Sequence, residues 1–430
     1  MIGLVIVIIV DISIVKVYDI IAKDFISDLT KFLLFAINSS LCLLLEFIII
    51  KYLQRSFKRN RLKKTLNVNL LYNISLISLL IIATLMALLT LQQLYNNYYN
   101  ISILIFIIIL SYGTAASFII ILSILFFSWY KSTHNWIVFL FFISMAFIAF
   151  NLVMTAVITN LKLIDRPDEI RKFIGGTGDI SVGKYVLLDN LHKVSSIMSF
   201  ISIWITTALL MNYYREKLIN ALVYWIILSI PLFYFVISYA FPFILSNILI
   251  PYLIIDPITI SIILTTFLSL SKPIGGLTFA IVFWNISKIV SYEKNIKAYM
   301  VISGWGILLI FGTNQALIQT LAPYPPFGLV TISVLIIGAL LMLLGIYNSA
   351  VLVSSNDNLR KFIHTHTAES TLLGLIGKAE MEKEIEKIVK RITLRKERLE
   401  DKEYIPIEFD EKELKKYIEF VIKEAKKENN

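Results

Sequence analysis

Seven polar side chains stand inside long apolar runs: Asp11, Glu46, Asn151, Asp256, Lys272, Asn314 and Gln315. A charge or an amide in hydrocarbon is expensive unless it is paired or hydrated, so such residues mark ion, proton or ligand sites by default. Asp256, Lys272 and Asn314 are the candidate ligand- or ion-responsive residues. Asp256-Pro257 and Lys272-Pro273 bracket an apolar stretch. Sixteen residues of helix is about 24 Å, so the two charges cannot pair; they fit opposite ends of one short helix. Asp256 is a good N-cap and Pro257 suits the first helical position. Lys272 would then lie in the last turn, where the helix dipole favours a cation, and Pro273 would stop the helix. That helix is shorter than the roughly 30 Å hydrocarbon core, so at least one end must be surrounded by protein or by a water-filled cavity. Asp256 is expected to line that cavity and Lys272 to anchor the cytoplasmic end. Glu46 stands shortly before Lys51 and Arg55, which suits a position near the membrane interface. Asn314 and Gln315 fall near the outer end of their span.

Other constellations are weaker. His364-Thr-His366 lacks the i, i+4 spacing of paired helical metal ligands and has no cysteine or carboxylate cluster beside it. Asp19, Asp24 and Asp28 alternate with lysines at surface-helix spacing, which a solvated face explains. Gly175-Gly176-Thr177-Gly178-Asp179 is followed by no phosphate-loop lysine and fits a flexible turn. Asn100-Ile101-Ser102 matches the glycosylation acceptor pattern. No nucleophile–base pair, Walker motif or dinucleotide fingerprint is visible. The expectation is a non-enzymatic protein with no cofactor, no metal and no nucleic-acid partner.

The elements that must carry these residues are membrane helices. The chain is 57% hydrophobic and 16% charged over 430 residues, the composition of a multi-pass membrane protein. A single cysteine, Cys42, excludes an internal disulfide framework. The net charge of +10 lies wholly before residue 356, because residues 356–430 hold 17 basic and 17 acidic side chains. Met1 to Val15 lacks a basic leader and a cleavage site, which argues for an uncleaved first span. Lys16 to Lys31 is spaced like a helix on the membrane surface. Further spans are expected at Phe32–Leu53, Leu70–Leu91, Ile101–Trp129, Trp136–Ile158, Val194–Met211, Ile219–Tyr239, Tyr299–Leu317 and Leu329–Val353, each near the 20 residues a crossing needs.

Orientation follows from the cations. Lys51, Arg55, Lys58, Arg59, Arg61, Lys63 and Lys64 form a cluster with no acid among them, the mark of a cytoplasmic loop. Leu161–Lys193 then falls outside. Ala240–Val290 admits one crossing or two. One crossing keeps Lys288, Lys294, Lys297, Arg360 and Lys361 cytoplasmic, so the cation rule favours about ten spans with both termini inside. Eleven spans and an outside tail is the alternative. The fold class is therefore all-α: a transmembrane bundle over 1–353 and a helical cytoplasmic tail over 354–430.

In the tail, Leu372, Leu375, Ile376, Ala379, Ile385, Ile388, Val389 and Ile392 recur at helical spacing. A second helix opens at Asp410, with Glu413 completing a capping box. Two such helices need a partner surface: each other, the membrane domain's loops, or a second copy. Leu372, Ile376, Ile385 and Ile392 are the candidate interface for a cytoplasmic protein or a homo-oligomer. Ser354–Ile363 and Glu369–Glu386, with the Pro323–Gly328 connection, resemble a family of uncharacterised archaeal multi-pass membrane proteins. The resemblance spans about residues 322–390. It implies membrane helices with a helical cytoplasmic tail and brings no ligand or catalytic residue. The expected role is a sensor-like or accessory component whose tail docks a partner; a secondary transporter or channel with its site around Asp256 is the second reading.

The topology has a direct test. In a Cys42→Ser background, Ser181→Cys should react with an impermeant thiol reagent in intact cells and Ser370→Cys should not. Labelling of Ser370→Cys without permeabilisation would exclude the ten-span arrangement.

Overall fold

The computed structural model describes residues 1–21, 28–59, 67–165, 169–171, 185–212, 221–244, 270–289, 293–314, 324–356, 359–360, 372–383, 385 and 389. Its helices are α1 (Ile2–Ile21), α2 (Asp28–Arg59), α3 (Val68–Asn96), α4 (Ile101–Thr133), α5 (Trp136–Ile164), α6 (Val186–Asn212), α7 (Ala221–Ile244), α8 (Ser271–Ile289), α9 (Lys294–Thr313) and α10 (Leu329–Ser355). Among the described residues, seven helices are long and apolar enough to cross a membrane: those built on α2 to α6, α9 and α10. This is the architecture of a multi-pass membrane protein, in which each backbone must satisfy its own hydrogen bonds. The residues between α7 and α8, Asp256 among them, lie outside the described residues.

Local sequence sets the helix ends. Asn67, Asn100 and Asn135 cap α3, α4 and α5, each side-chain oxygen accepting a backbone N–H of the first turn. Asn97 and His134 close α3 and α4 in the left-handed region, with φ of 54° and 51°. The acceptor pattern at Asn100-Ile101-Ser102 is therefore built into a helix cap, with Ser102 N donating to Asn100 Oδ1 at 2.8 Å. Two short strands, β1 (Tyr98–Asn100) and β2 (Glu169–Arg171), pair antiparallel. They tie the connection before α4 to the one after α5, so both lie at one end of the bundle. The expected surface helix beginning at Lys16 is not separate: α1 runs unbroken from Ile2 through Ile21.

The bundle is organised around α10. Its apolar window is wholly buried, against a third of that of α2 or α3. It packs against α1, α2, α3, α4 and α9. Apolar side chains gain nothing by leaving lipid for one another, so close approach has to come from small residues. The α9–α10 crossing shows this. A Cβ on Gly306 would lie 2.5 Å from Met342 N and 2.8 Å from Gly338 O. A Cβ on Gly345 would lie 2.2 Å from Ser303 Oγ and 2.7 Å from Tyr299 O. The outward faces of the surrounding helices are apolar instead, with Ile37, Leu44, Ile77, Ile109 and Ile124 exposed where lipid would lie.

Two compact units emerge, Met1–Met381 and Glu382–Asn430. Residues 372–381 thus belong with the membrane helices and not with a separate tail. Leu372, Leu373, Ile376 and Ala379 are buried there. A Cβ on Gly377 would meet Val353 Cγ1 of α10 at 2.2 Å. In the second unit, Ile385 is exposed; Ile392 and the segment from Asp410 lie outside the described residues.

The close crossing predicts a contrast on one helix. Gly306→Ala forces backbone against backbone and should lower stability by about 1–3 kcal/mol. Among the described residues, nothing lies within 4 Å of a Cβ on Gly312 of the same helix. Gly312→Ala should therefore be neutral or stabilising, as Ala is preferred to Gly in a helix. Thermal unfolding of the detergent-solubilised protein compares the two; equal melting temperatures would refute the close-packed crossing.

Candidate functional site

Two buried polar clusters hold the five described residues among the seven intramembrane leads: Asp11 and Glu46 in one, Asn151, Lys272 and Asn314 in the other. The first surrounds the start of α10. Gly328 precedes that helix with φ 93° and has no side chain to cap it. Asp11, from α1, supplies the cap. Gly328 N donates to Asp11 Oδ1 at 3.2 Å, Thr331 N to Asp11 Oδ2 at 3.0 Å, and Thr331 Oγ1 to Asp11 Oδ2 at 2.6 Å. A carboxylate at a helix N-terminus, holding otherwise unmet N–H groups, is the arrangement the helix dipole favours.

Glu46 follows one step deeper. Ser333 Oγ of α10 lies 2.9 Å from Glu46 Oε1, and Cys42 Sγ lies 3.6 Å from the same oxygen. Glu46 is fully buried in the protein. The reason is its place on the face of α2 that meets α10, where a hydroxyl partner waits. Its Oε2 has no hydrogen-bond partner among the described residues.

The second cluster joins α5, α6, α8 and α9. Asn314 follows the last residue of α9. Its Nδ2 donates to Asn151 Oδ1 at 2.7 Å, and Asn151 Nδ2 donates to Ser195 Oγ at 2.9 Å. Ser195 Oγ in turn donates to His192 O at 2.8 Å. His192 Nε2 lies 3.3 Å from Thr155 Oγ1, one turn along α5 from Asn151. Lys272 Nζ donates to Asn314 O at 3.3 Å. Beyond His192, Lys162 and Asp189 form an ion pair at 2.7 Å.

Close packing holds this cluster together. Phe200 and Phe235 stack with centroids 4.0 Å apart, and Phe279 and Phe311 pack against Phe200 at 5.2 and 5.9 Å. The four rings come from α6, α7, α8 and α9. Gly275 and Gly276 admit them: a Cβ on Gly275 would sit 2.2 Å from Phe200 Cε2, and one on Gly276 would sit 2.7 Å from Phe311 Cβ.

The structure thus brings Lys272 and Asn314 together and adds Asn151 to them. It reverses the expected place of Lys272. Lys272 and Pro273 open α8 instead of ending a preceding helix. Proline without its N–H is as well suited to the first turn of a helix as to the residue after one, and here it starts the helix. Asp256, Gln315, His364, His366 and the Gly175–Asp179 loop lie outside the described residues. Ser195, His192, Thr155, Thr331 and Ser333 were missed in the sequence. The hydroxyl stripe of α6, Ser195, Ser199, Ser202 and Thr206 at three- and four-residue spacing, was the available signal.

No protein-family model matches the chain, and neither does any curated protein or solved structure.

The cap on α10 yields a graded expectation. Asp11→Ala leaves buried N–H donors unmet at about 1–3 kcal/mol for each such group and should lower the melting temperature sharply. Asp11→Asn keeps one acceptor oxygen and should lose clearly less. Melting of the purified variants tests the order; Asp11→Ala as stable as the parent protein would rule out the capping role.

Proposed function

We propose that the protein is a non-enzymatic, sensor-like or accessory component of the cell membrane, with about ten spans and both termini cytoplasmic. In this reading the membrane domain responds to a condition outside the cell or in the bilayer. The tail passes the response to a cytoplasmic protein or a second copy. The resemblance of residues 322–390 to archaeal multi-pass proteins belongs to this proposal. One observation carries it: a single buried helix, α10, is capped by Asp11 at one end and packed against residues 372–381 at the other. Near that far end, Trp129 Nε1 of α4 donates to Glu380 Oε2 at 2.8 Å, with both groups buried. A rearrangement around α10 is thereby linked to the root of the tail.

The interface hypothesis narrows. Leu372 and Ile376 are covered by the chain's own fold, so they are not free to meet a partner. Ile385 remains as the described candidate, with Ile392 beyond the described residues.

A second reading, a secondary transporter or channel, is favoured by a different observation. Asn314, just past the end of α9, bonds to Asn151 near the middle of the 29-residue α5, and the start of α8 meets it there. Helix ends meeting within a bundle are where transporters hold substrates and coupling ions.

Two measurements on the full chain in native membranes test the tail reading. Trp129→Phe removes the donor to buried Glu380 and should speed tryptic cleavage of the tail several-fold, with the membrane helices intact. Cross-linking and purification should recover a discrete partner or a second copy, and Ile385→Glu should abolish that recovery. Unchanged cleavage together with unchanged recovery would remove the basis for this function.

A further inference from the structure

We propose that Lys272 and the first turn of α8 form a binding site, within the membrane domain, for a small anion that carries its own hydrogen-bond donor. Bicarbonate, dihydrogen phosphate and an α-amino acid share that chemistry. The inference goes beyond the tail-docking reading and does not rest on it, since a sensor and a transporter would both use such a site.

Charge is the first argument. Lys272 is the second residue of a 19-residue helix. The N-terminus of a helix carries partial positive charge and favours anions, so a lysine there adds a cation to a positive end. Lysine is placed in this way at little cost when its ammonium reaches water. Here the side chain is drawn inward to the backbone oxygen of Asn314. An ammonium has three donors, and that one bond of 3.3 Å is the hydrogen bond it makes among the described residues. No carboxylate lies within ion-pair distance of it among those residues; the neighbouring acid, Asp189, is taken by Lys162 at 2.7 Å. Across the site stands His192 on α6, held by Thr155. The group is short of negative charge, and a partly buried cation in a membrane domain calls for a counter-ion.

The second argument is an oxygen with nothing to accept. Asn314 is 7% exposed, and its Oδ1 has no hydrogen-bond partner among the described residues. The direction of the amide chain is set by Ser195 Oγ, which donates to His192 O and so accepts from Asn151 Nδ2; Asn151 Oδ1 then accepts from Asn314 Nδ2, which leaves Asn314 Oδ1 over. Lys272 therefore asks for an acceptor with negative charge, while the side chain of Asn314, whose backbone oxygen Lys272 holds, asks for a donor. A water would satisfy the oxygen and leave the lysine uncompensated. Chloride would compensate the lysine and leave the oxygen bare. A small oxyanion with an O–H, or a zwitterion with an ammonium, answers both.

The test uses purified full-length protein in detergent at constant chloride. Bicarbonate, phosphate, glycine and acetate are added in tenfold steps while thermal unfolding is followed. At least one of the first three should raise the melting temperature saturably, because a ligand bound only by the folded state stabilises it by mass action. Acetate has no donor and should bind about tenfold more weakly, the equivalent of one hydrogen bond. Lys272→Gln should abolish the response and Lys272→Arg should retain it. If Lys272→Gln does not fold, Asn314→Ala takes its place: it keeps the cation, removes the orphan oxygen, and should level glycine or bicarbonate with acetate. A wild-type protein indifferent to all four probes overturns the proposal, as it would if the chain's own carboxylates neutralise Lys272. Equal responses in Lys272→Gln or in Asn314→Ala and the parent overturn it as well.

Discussion

The buried start of α10 is the constraint on which the rest of the bundle depends. A helix that begins buried inside protein has N–H groups that its own backbone cannot satisfy. Gly328, in the left-handed region, turns the chain into the helix but has no side chain to offer. The acceptor therefore has to come from elsewhere, and it comes from Asp11, 317 residues upstream. That one carboxylate fixes α1 against α10. It also explains how an acid survives in an otherwise apolar helix: its two oxygens meet three donors, and the dipole of α10 supplies the opposing partial charge. Glu46 and Ser333 make a second carboxyl–hydroxyl contact two residues further along α10 and bring in α2.

With α10 placed, the small residues dictate the next layer. Gly306, Gly338 and Gly345 let α9 lie backbone to backbone on α10, a fit that admits no sliding by even one methyl group. Then α8 packs on α9, where Gly276 meets Phe311, and on α6, where Gly275 meets Phe200. The two glycines follow Lys272-Pro273 after a single residue, Ile274. The first turn of α8 is therefore pressed into the bundle, and Lys272 is carried in with it. The amide chain from Asn314 to Ser195 is what this packing leaves in the middle, buried polar groups bonded to one another.

Much of this was legible in the sequence. Apolar runs place the spans to within a few residues at α3, α4 and α10, because a membrane helix is read from length and hydropathy alone, while the expected Tyr299–Leu317 span falls on a helix that runs Lys294–Thr313. The intramembrane polar residues were recognised as leads, and Lys272, Asn314 and Asn151 do converge. The identity of the central helix was not legible. The window of α10 has a hydropathy of 2.8 and that of α3 has 2.6, although one is wholly buried and the other faces lipid over much of its surface. Protein interior and lipid are equally apolar, so hydropathy cannot separate them. Lys272-Pro273 failed for a different reason. Proline obeys the same local rule at both ends of a helix, and only the glycines that follow, by their packing, decide the case. In the tail, the stripe from Leu372 was visible, but its cover was not: Gly377 against Val353 and Glu380 against Trp129 are contacts between distant parts of the chain.

These contacts also bear on whether a site at Lys272 and a response at the tail can belong to one device. Energetic coupling between distant sites needs a physical element whose arrangement both of them bias. Here α9 carries Asn314 at its end and meets α10 through Gly306, while α10 meets the tail root through Val353. An anion drawn between Lys272 and Asn314 would act on the end of α9, at the residue where that helix stops being regular. A shift of α9 along its own axis would be blocked by the Gly306–Gly338 contact unless α10 moved with it. A shift of α10 would in turn pull against the Asp11 cap and against Gly377. On the proposed reading the close glycine packing is thus more than a stabilising fit. It ties α9 to α10 at their crossing, and the polar ends of the pair are places where hydrogen bonds can be exchanged one for another.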